Sequence, residues 1–184
     1  MIGIDEVGRG CWAGPLLVVA ARQIGDLPAG LDDSKVLTKK RRASLAPGIK
    51  ESCQLGEGWA EPAEIDSLGL TAAMRLAVKR ALAALGAETS EPIIMDGNIN
   101  YCPTQFISVA CVVDADAEHP IVSAASIYAK QRRDQYMTEM SGAYPGYGFE
   151  SHVGYGTKAH LLALQAQGVC KQHRLSVKPV KAFL

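Results

Sequence analysis

Apolar and polar positions alternate in two rhythms along the chain. Met1 to Asp5 is a short apolar run ending in two acids, and Leu16 to Ile24 (LLVVAARQI) is a longer one, so both predict buried strands. Ser52 to Ala60 predicts a weaker third strand, interrupted by Gly56 and Gly58. From Leu70 to Leu85, LTAAMRLAVKRALAAL places its apolar residues on one face at helical spacing. Pro92 to Asp96 and Phe106 to Val113 read as two further strands followed by carboxylates. Helices are predicted over Ile121 to roughly Met140 and over Lys158 to Gln167, the second stopped by Gly168. Pro28 to Lys35 reads as a loop, and the basic stretch Lys39 to Arg42 opens a short helix. Strands come first and then alternate with helices, which predicts an α/β fold with a sheet of mixed direction. No internal repeat, low-complexity tract or linker divides the chain.

Composition narrows the setting. At 184 residues and 48% hydrophobic, the chain can bury a core of ordinary size and is too apolar for disorder. No apolar run approaches the ~20 residues that span a bilayer, and MIGIDEVGRG lacks the basic start of a signal peptide. Five scattered cysteines without a C-x-x-C pair argue against a disulfide framework or structural zinc, and a reducing cytoplasm is expected. The net charge of zero conceals a segregation. Residues 151–184 hold Lys158, Lys171, Arg174, Lys178 and Lys181 and no acid, leaving 14 basic and 19 acidic side chains elsewhere. Such a tail suits a polyanion, and the acidic body suits cation binding or plain solvation, although five cations in a tail also arise by chance.

The candidate chemistry lies in acids that follow apolar strands: Asp5 and Glu6, Asp96, and Asp114 with Asp116. In an α/β sheet the crevice beyond the strand ends gathers residues that are distant in sequence. A single strand-end acid is most often a solvated loop residue, but three apolar strands all ending in acids predict a cluster. Gathered carboxylates repel unless neutralised, and hard cations such as Mg²⁺ or Mn²⁺ prefer oxygen ligands. With no histidine or cysteine pair beside them, zinc is disfavoured. A carboxylate cluster holding two ions ~4 Å apart suits phosphoryl transfer to water. Gly8, Gly10 and Gly14 give G-x-G-x-x-x-G, one residue off the dinucleotide fingerprint and without the P-loop ending. Glycines there let backbone amides approach a sugar–phosphate chain, with Arg9 contacting phosphate or base; an ordinary tight turn is the alternative.

Five segments together resemble the ribonuclease HII family. They are D-E-V-G-R-G at Asp5 to Gly10, D-S-K at Asp33 to Lys35, and M-D-G-N at Met95 to Asn98. A-A-S-I-Y-A-K-Q-R-R-D at Ala124 to Asp134 and H-V-G-Y-G-T-K-A-H at His152 to His160 complete the set, and the tail from Gly168 continues the match. The resemblance implies a ribonuclease H-like mixed β-sheet flanked by helices. It also implies one catalytic domain over residues 1–184, of which roughly 142–184 is a basic C-terminal helical extension. The implied activity is metal-dependent cleavage of RNA in RNA/DNA hybrids and 5′ of single ribonucleotides in duplex DNA, leaving 3′-hydroxyl and 5′-phosphate ends. By position, Asp5, Glu6, Asp96 and Asp116 match the metal-binding catalytic acids, with Mn²⁺ or Mg²⁺ as cofactor. Gly8, Arg9 and Gly10 match the loop that senses the 2′-hydroxyl, Lys35 a phosphate contact, and Tyr155 the tyrosine that stacks on the junction sugar. Two positions depart from the family pattern: Asp114 and Val153 each stand where a lysine is usual.

Physics supports these roles separately. Distinguishing RNA from DNA requires reaching the 2′-hydroxyl, and an aromatic face between two glycines suits stacking. Lys130, Arg132 and Arg133 either add to the positive surface or solvate their helix. His152, His160 and His173 are expected to be structural or phosphate-contacting, since two-ion hydrolysis needs no histidine base. Three alternatives remain: a ribonuclease HIII-like enzyme, a haloacid dehalogenase-type phosphatase built on Asp114 and Asp116, and a non-catalytic nucleic-acid-binding module. Ribonuclease HIII normally carries an extra N-terminal domain, for which a start at M-I-G-I-D-E leaves no room. The expected partners are the hybrid or ribonucleotide-containing duplex, with no membrane, no obligate protein partner and a monomeric state.

Overall fold

The computed structural model describes residues 1–31 and 37–184. Five strands, β1 (Ile2–Val7), β2 (Leu16–Gln23), β3 (Cys53–Ala60), β4 (Ile93–Asp96) and β5 (Val109–Val112), form one sheet in the order β3-β2-β1-β4-β5. β2 runs antiparallel to β1 and β3, while β4 runs parallel to β1 and β5, so the mixed direction expected from the pattern is present. Alternation along the central strands divides the core. Ile2, Ile4, Leu16, Val18 and Ala20 face α3 (Leu70–Leu85). Val7, Leu17, Val19 and Ala21 face α1 (Lys39–Ser52) and α5 (Pro120–Ala143) on the other side.

Several bounds differ from the pattern. β1 continues through Asp5 and Glu6, which pair with Val19 and Val18, so the acids lie within the strand rather than after it. β5 begins at Val109 instead of Phe106, although Phe106 is still buried against the α3 face. α1 extends to fourteen residues; Thr38 caps it by accepting from the Arg41 amide, and Pro47 is carried inside. α2 (Pro62–Leu68) and the short turns α4 (Ala115–Glu118), α6 (Phe149–His152) and α8 (Lys178–Lys181) were not expected, whereas α3 and α7 (Lys158–Gln167) keep their predicted bounds. Tyr147, Phe149 and Ala163 pack the C-terminal segment onto Ala13 and Met137, against the end of α5. Among the described residues no helix is long and apolar enough to cross a membrane.

Gly56 and Gly58 do not interrupt β3; they admit α3 to direct contact with it. A Cβ on Gly58 would fall 1.9 Å from the Ala77 carbonyl oxygen, and one on Gly56 would fall 2.1 Å from that of Ala81. The helix would have to retreat from the strand. Gly58→Ala is therefore expected to lower unfolding free energy by about 3 kcal/mol in urea denaturation with the slope unchanged. A loss below about 0.5 kcal/mol would mean that α3 yields freely.

Candidate active site

The acids converge because β1 and β4 are parallel neighbours. Ile4 pairs with Met95, which sets Asp5 beside Asp96 at one end of the sheet. Strand alternation turns Asp5 toward α5 and Glu6 toward the α3 side. Both side chains reach the same cavity, about 310 Å³ in volume. Its wall also holds Asp96, Gly8, Arg9, Gly10 and Tyr155, all expected from sequence, and Lys130, expected either on the positive surface or solvating its helix, together with Arg42 and Ser126, which are not among the expected site residues.

The electrostatics of this wall are divided. Asp5 is only 7% exposed; burial, followed by the charges of Glu6 and Asp96, pushes its carboxyl up to about 8 despite a hydrogen bond from Ser126. Asp96 Oδ1 accepts from the Ala115 amide at 2.8 Å, and Glu6 lies 3.8 Å from the Arg9 guanidinium. In the same wall, Lys130 and Arg42 both pair with the buried Asp134, at 2.7 and 3.4 Å. Acids and cations sharing one cavity suit a bound cation together with a phosphate chain.

Asp116 is placed differently. It is buried in α4, one residue beyond the amide that holds Asp96, and does not line the cavity. Its neighbour Asp114 is exposed in a left-handed conformation, with φ at 56°. Among the described residues, no three acid, histidine or cysteine side chains are arranged to hold a metal ion as they stand. The donor set nevertheless fits a hard divalent cation in kind. Asp5, Glu6 and Asp96 supply only oxygen, and the Asp5 carboxyl, raised chiefly by burial and then by the charges of Glu6 and Asp96, is a group whose ionised form such an ion would favour. Lys35, with Asp33 and Ser34, lies outside the described residues.

The glycine loop is held from below by two buried guanidiniums. Arg133 is 0% exposed and donates to the carbonyls of Pro15 (2.8 Å), Ala13 (3.1 Å) and Val153 (2.8 Å). Arg174, also buried, donates to Gly14 O at 2.9 Å and Arg9 O at 3.1 Å. The Trp12 amide donates to Gly154 O at 2.8 Å, which joins this loop to the segment carrying Tyr155. That junction needs Gly154 and Gly156: added Cβ atoms would lie 2.2 Å from Ala13 O and 2.0 Å from the Trp12 ring. Val153 is drawn into the left-handed region (φ 44°), a strained setting for a β-branched residue, while its carbonyl accepts from Arg133.

Two surface expectations change accordingly. Arg174 adds nothing to the tail's positive surface, and Arg133 neither faces a ligand nor solvates its helix. Arg132 pairs with Glu57 at 3.3 Å, and Lys130 lines the cavity. The histidines at 152, 160 and 173 are buried and do not line the cavity. Arg133 carried one weak signal: it lies four residues from both Ala129 and Met137 on the buried face of α5. Ser126 and Arg174 stand within the segments that resemble the ribonuclease HII family, but nothing in their spacing assigns them a role.

Comparison with known proteins follows the same line. The sequence profile of the family described as Ribonuclease HII matches residues 2–180. Ribonuclease HII of Sphingopyxis alaskensis is 43% identical over 180 residues, covering 98% of this chain and 89% of its own. That of Rhizorhabdus wittichii is 44% identical over 186 residues, covering 100% and 90%. Among solved structures, RNase HII of Archaeoglobus fulgidus, in its complex with PCNA, superposes with a TM-score of 0.79 at 24% identity, over 96% of this chain and 94% of that one. Bst-RNase HIII in complex with Mn²⁺ gives 0.73 at 24% identity, over 98% and 67%. These structures share the fold, a ribonuclease H-like mixed sheet flanked by helices.

Proposed function

This chain belongs to the ribonuclease HII family and is a divalent-metal-dependent endoribonuclease of the ribonuclease H type, and we propose that it also cuts 5′ of single ribonucleotides embedded in duplex DNA by two-ion hydrolysis. The observation that carries this reading is the shared cavity of Asp5, Glu6 and Asp96 with the Gly8–Gly10 loop and Tyr155. Asp5, Glu6 and Asp96 hold Mg²⁺ or Mn²⁺, with Asp116 as the fourth acid on the strength of its place in D-A-D. When bound, the ions supply activation of the attacking water and neutralisation of charge on the departing 3′-oxygen. Arg9, Arg42 and Lys130 orient the flanking phosphates, and Lys35 adds a further backbone contact. Among the described residues nothing lies within 4 Å of a Cβ added at Gly10, which fits the approach of a nucleotide backbone there.

Tyr155, 40% exposed at the cavity, offers its ring to the sugar at the RNA–DNA junction. Residues 1–184 act as one catalytic domain, with roughly 142–184 as its helical extension. The enzyme works as a cytoplasmic monomer in removing ribonucleotides from DNA, with no obligate protein partner and no membrane; five free cysteines fit a reducing compartment. The match over residues 2–180 leaves no ground for the phosphatase alternative.

The test is mapping of cleavage on a DNA duplex bearing one ribonucleotide, with Mg²⁺ and Mn²⁺ compared. A single cut 5′ of the ribonucleotide, leaving 3′-hydroxyl and 5′-phosphate ends, is expected; cleavage of long hybrids alone would overturn the finer reading. Tyr155→Ala is expected to slow that cut by about 10- to 100-fold, the value of one stacking contact, while duplex affinity changes by less than about 3-fold. Equal losses in both would make Tyr155 a general affinity residue.

A further inference from the structure

Behind Tyr155 lies a cluster that hydrolysis by two ions leaves unused. Three of the chain's four histidines, His152, His160 and His173, are buried together against Trp12, Tyr147 and Phe149. Their hydrogen-bond partners assign a proton to each ring. The Cys170 amide donates to His173 Nδ1 at 2.9 Å, so the His173 proton is on Nε2. That N–H faces His160 Nε2 at 3.1 Å, which must accept it. The His160 proton is therefore on Nδ1, where it is donated to the Tyr155 carbonyl oxygen at 3.0 Å. The Gly154 amide donates to His152 Nδ1 at 3.2 Å, leaving His152 Nε2–H for Tyr147 O at 2.8 Å. One pattern satisfies all six nitrogens, and every ring in it is neutral. Burial favours that state, pushing His160 down to about 4 and His173 downward.

We propose that His160, oriented by His173, is a positioning residue for Tyr155. A directional relay runs from the Cys170 amide through the two rings to the Tyr155 carbonyl and fixes the backbone from which the tyrosine ring enters the cavity. The need for such a device is local. Tyr155 stands between two glycines and is 40% exposed, with Lys130 Nζ 5.8 Å from its ring centroid. Its amide donates to His152 O and its carbonyl accepts from the Thr157 amide, both at 2.9 Å; the His160 ring adds the link to the interior. Thr157 in turn caps α7 by accepting from the His160 amide at 3.2 Å, so His160 grips this segment through both backbone and ring. The proposal rests on the reading of Tyr155 as the residue that stacks on the sugar.

Two measurements test it. Two-bond ¹⁵N–¹H correlation spectra of the labelled protein at neutral pH are expected to show His160 as the Nδ1–H tautomer and His173 and His152 as Nε2–H. A His160 in the Nε2–H form, or averaging between forms, would overturn the relay, and this measurement needs no variant. The second compares His160→Asn, which keeps a donor near the Nδ1 position, with His160→Gln, which keeps a group near Nε2 and loses that donor. At matched melting temperatures, His160→Gln is expected to cleave an embedded ribonucleotide at least about 10-fold more slowly than His160→Asn, with equal duplex affinity. Equal losses would reduce the cluster to a structural role. If Tyr155→Ala leaves that cleavage unchanged, the sugar-stacking reading fails, while the tautomer spectrum still reports on the relay by itself.

Discussion

Asp5→Asn is expected to abolish cleavage of an RNA/DNA hybrid, by about a thousand-fold or more, and at the same time to raise the melting temperature of the metal-free protein. The first effect follows from the proposed role of Asp5 as a ligand of the ion, an interaction worth several kcal/mol in the transition state. The second follows from linkage. In the folded state the carboxyl is pushed up to about 8, far above the ordinary carboxyl range, chiefly because the group is buried and then because of Glu6 and Asp96. An acid whose folded value is raised keeps its proton in the native state while the unfolded chain has lost its own. Stability from this group is thus full below the unfolded value, declines as pH rises between the two, and is flat above the folded one. By pH 7 the deficit is of order 4 kcal/mol, at about 1.4 kcal/mol per unit. A neutral amide has no such slope. Thermal melts of both proteins in chelator at pH 5 and pH 7.5 should therefore diverge at the higher pH, and added Mn²⁺ should lift wild type far more than the variant. Identical melts at both values would mean that Asp5 is solvated. Asp96→Asn should also lose cleavage while binding hybrid, since the amide oxygen can still accept from the Ala115 N–H. Full activity in either variant would remove that residue from catalysis.

The other large effect belongs to Arg133. Replacing it with Met keeps the aliphatic stem but strands three buried carbonyls, on Ala13, Pro15 and Val153, that now accept from the guanidinium. Each charge-assisted bond contributes about 1.5–3 kcal/mol, and the relaxed loop recovers part of that, so a net loss of about 3–5 kcal/mol is expected. Arg133→Lys, with one point donor in place of a fork, should restore only a fraction. Urea titration at constant slope checks both, and a change under about 1 kcal/mol would mean that the loops hold each other without the clamp.

What the sequence disclosed was governed by whether the cause was local. The α3 and α7 bounds follow from apolar spacing and from stops at Gly86 and Gly168, all within one helix. The convergence of Asp5, Glu6 and Asp96 was legible because strand ends in an α/β sheet share one edge, which is a rule of topology. β3 was undervalued for the opposite reason: Gly56 and Gly58 weaken a strand taken alone, and only α3 lying across them shows why they are there. α1 was too short on paper because its polar start and Pro47 hid the buried Leu45, Ala46 and Ile49. Packing of α5 against β1 decides between the two readings of Lys130, in favour of the site, and brings in Ser126. Arg133 and Arg174 were read as surface cations because their carbonyl partners are main-chain groups, which leave no mark in the side-chain pattern.

The clamp beneath the glycine loop has a bearing on biosynthesis. Arg174 reaches back to Gly14 and Arg9, across separations of 160 and 165 residues, and the Gly14 amide donates to Gln172 O. On the ribosome the first two strands and their acids emerge long before these anchors do. The nascent polypeptide thus exposes Asp5 and Glu6 well before the glycine loop beside them is settled, and that loop gains its guanidinium anchor only once the segment around Gln172 and Arg174 has emerged.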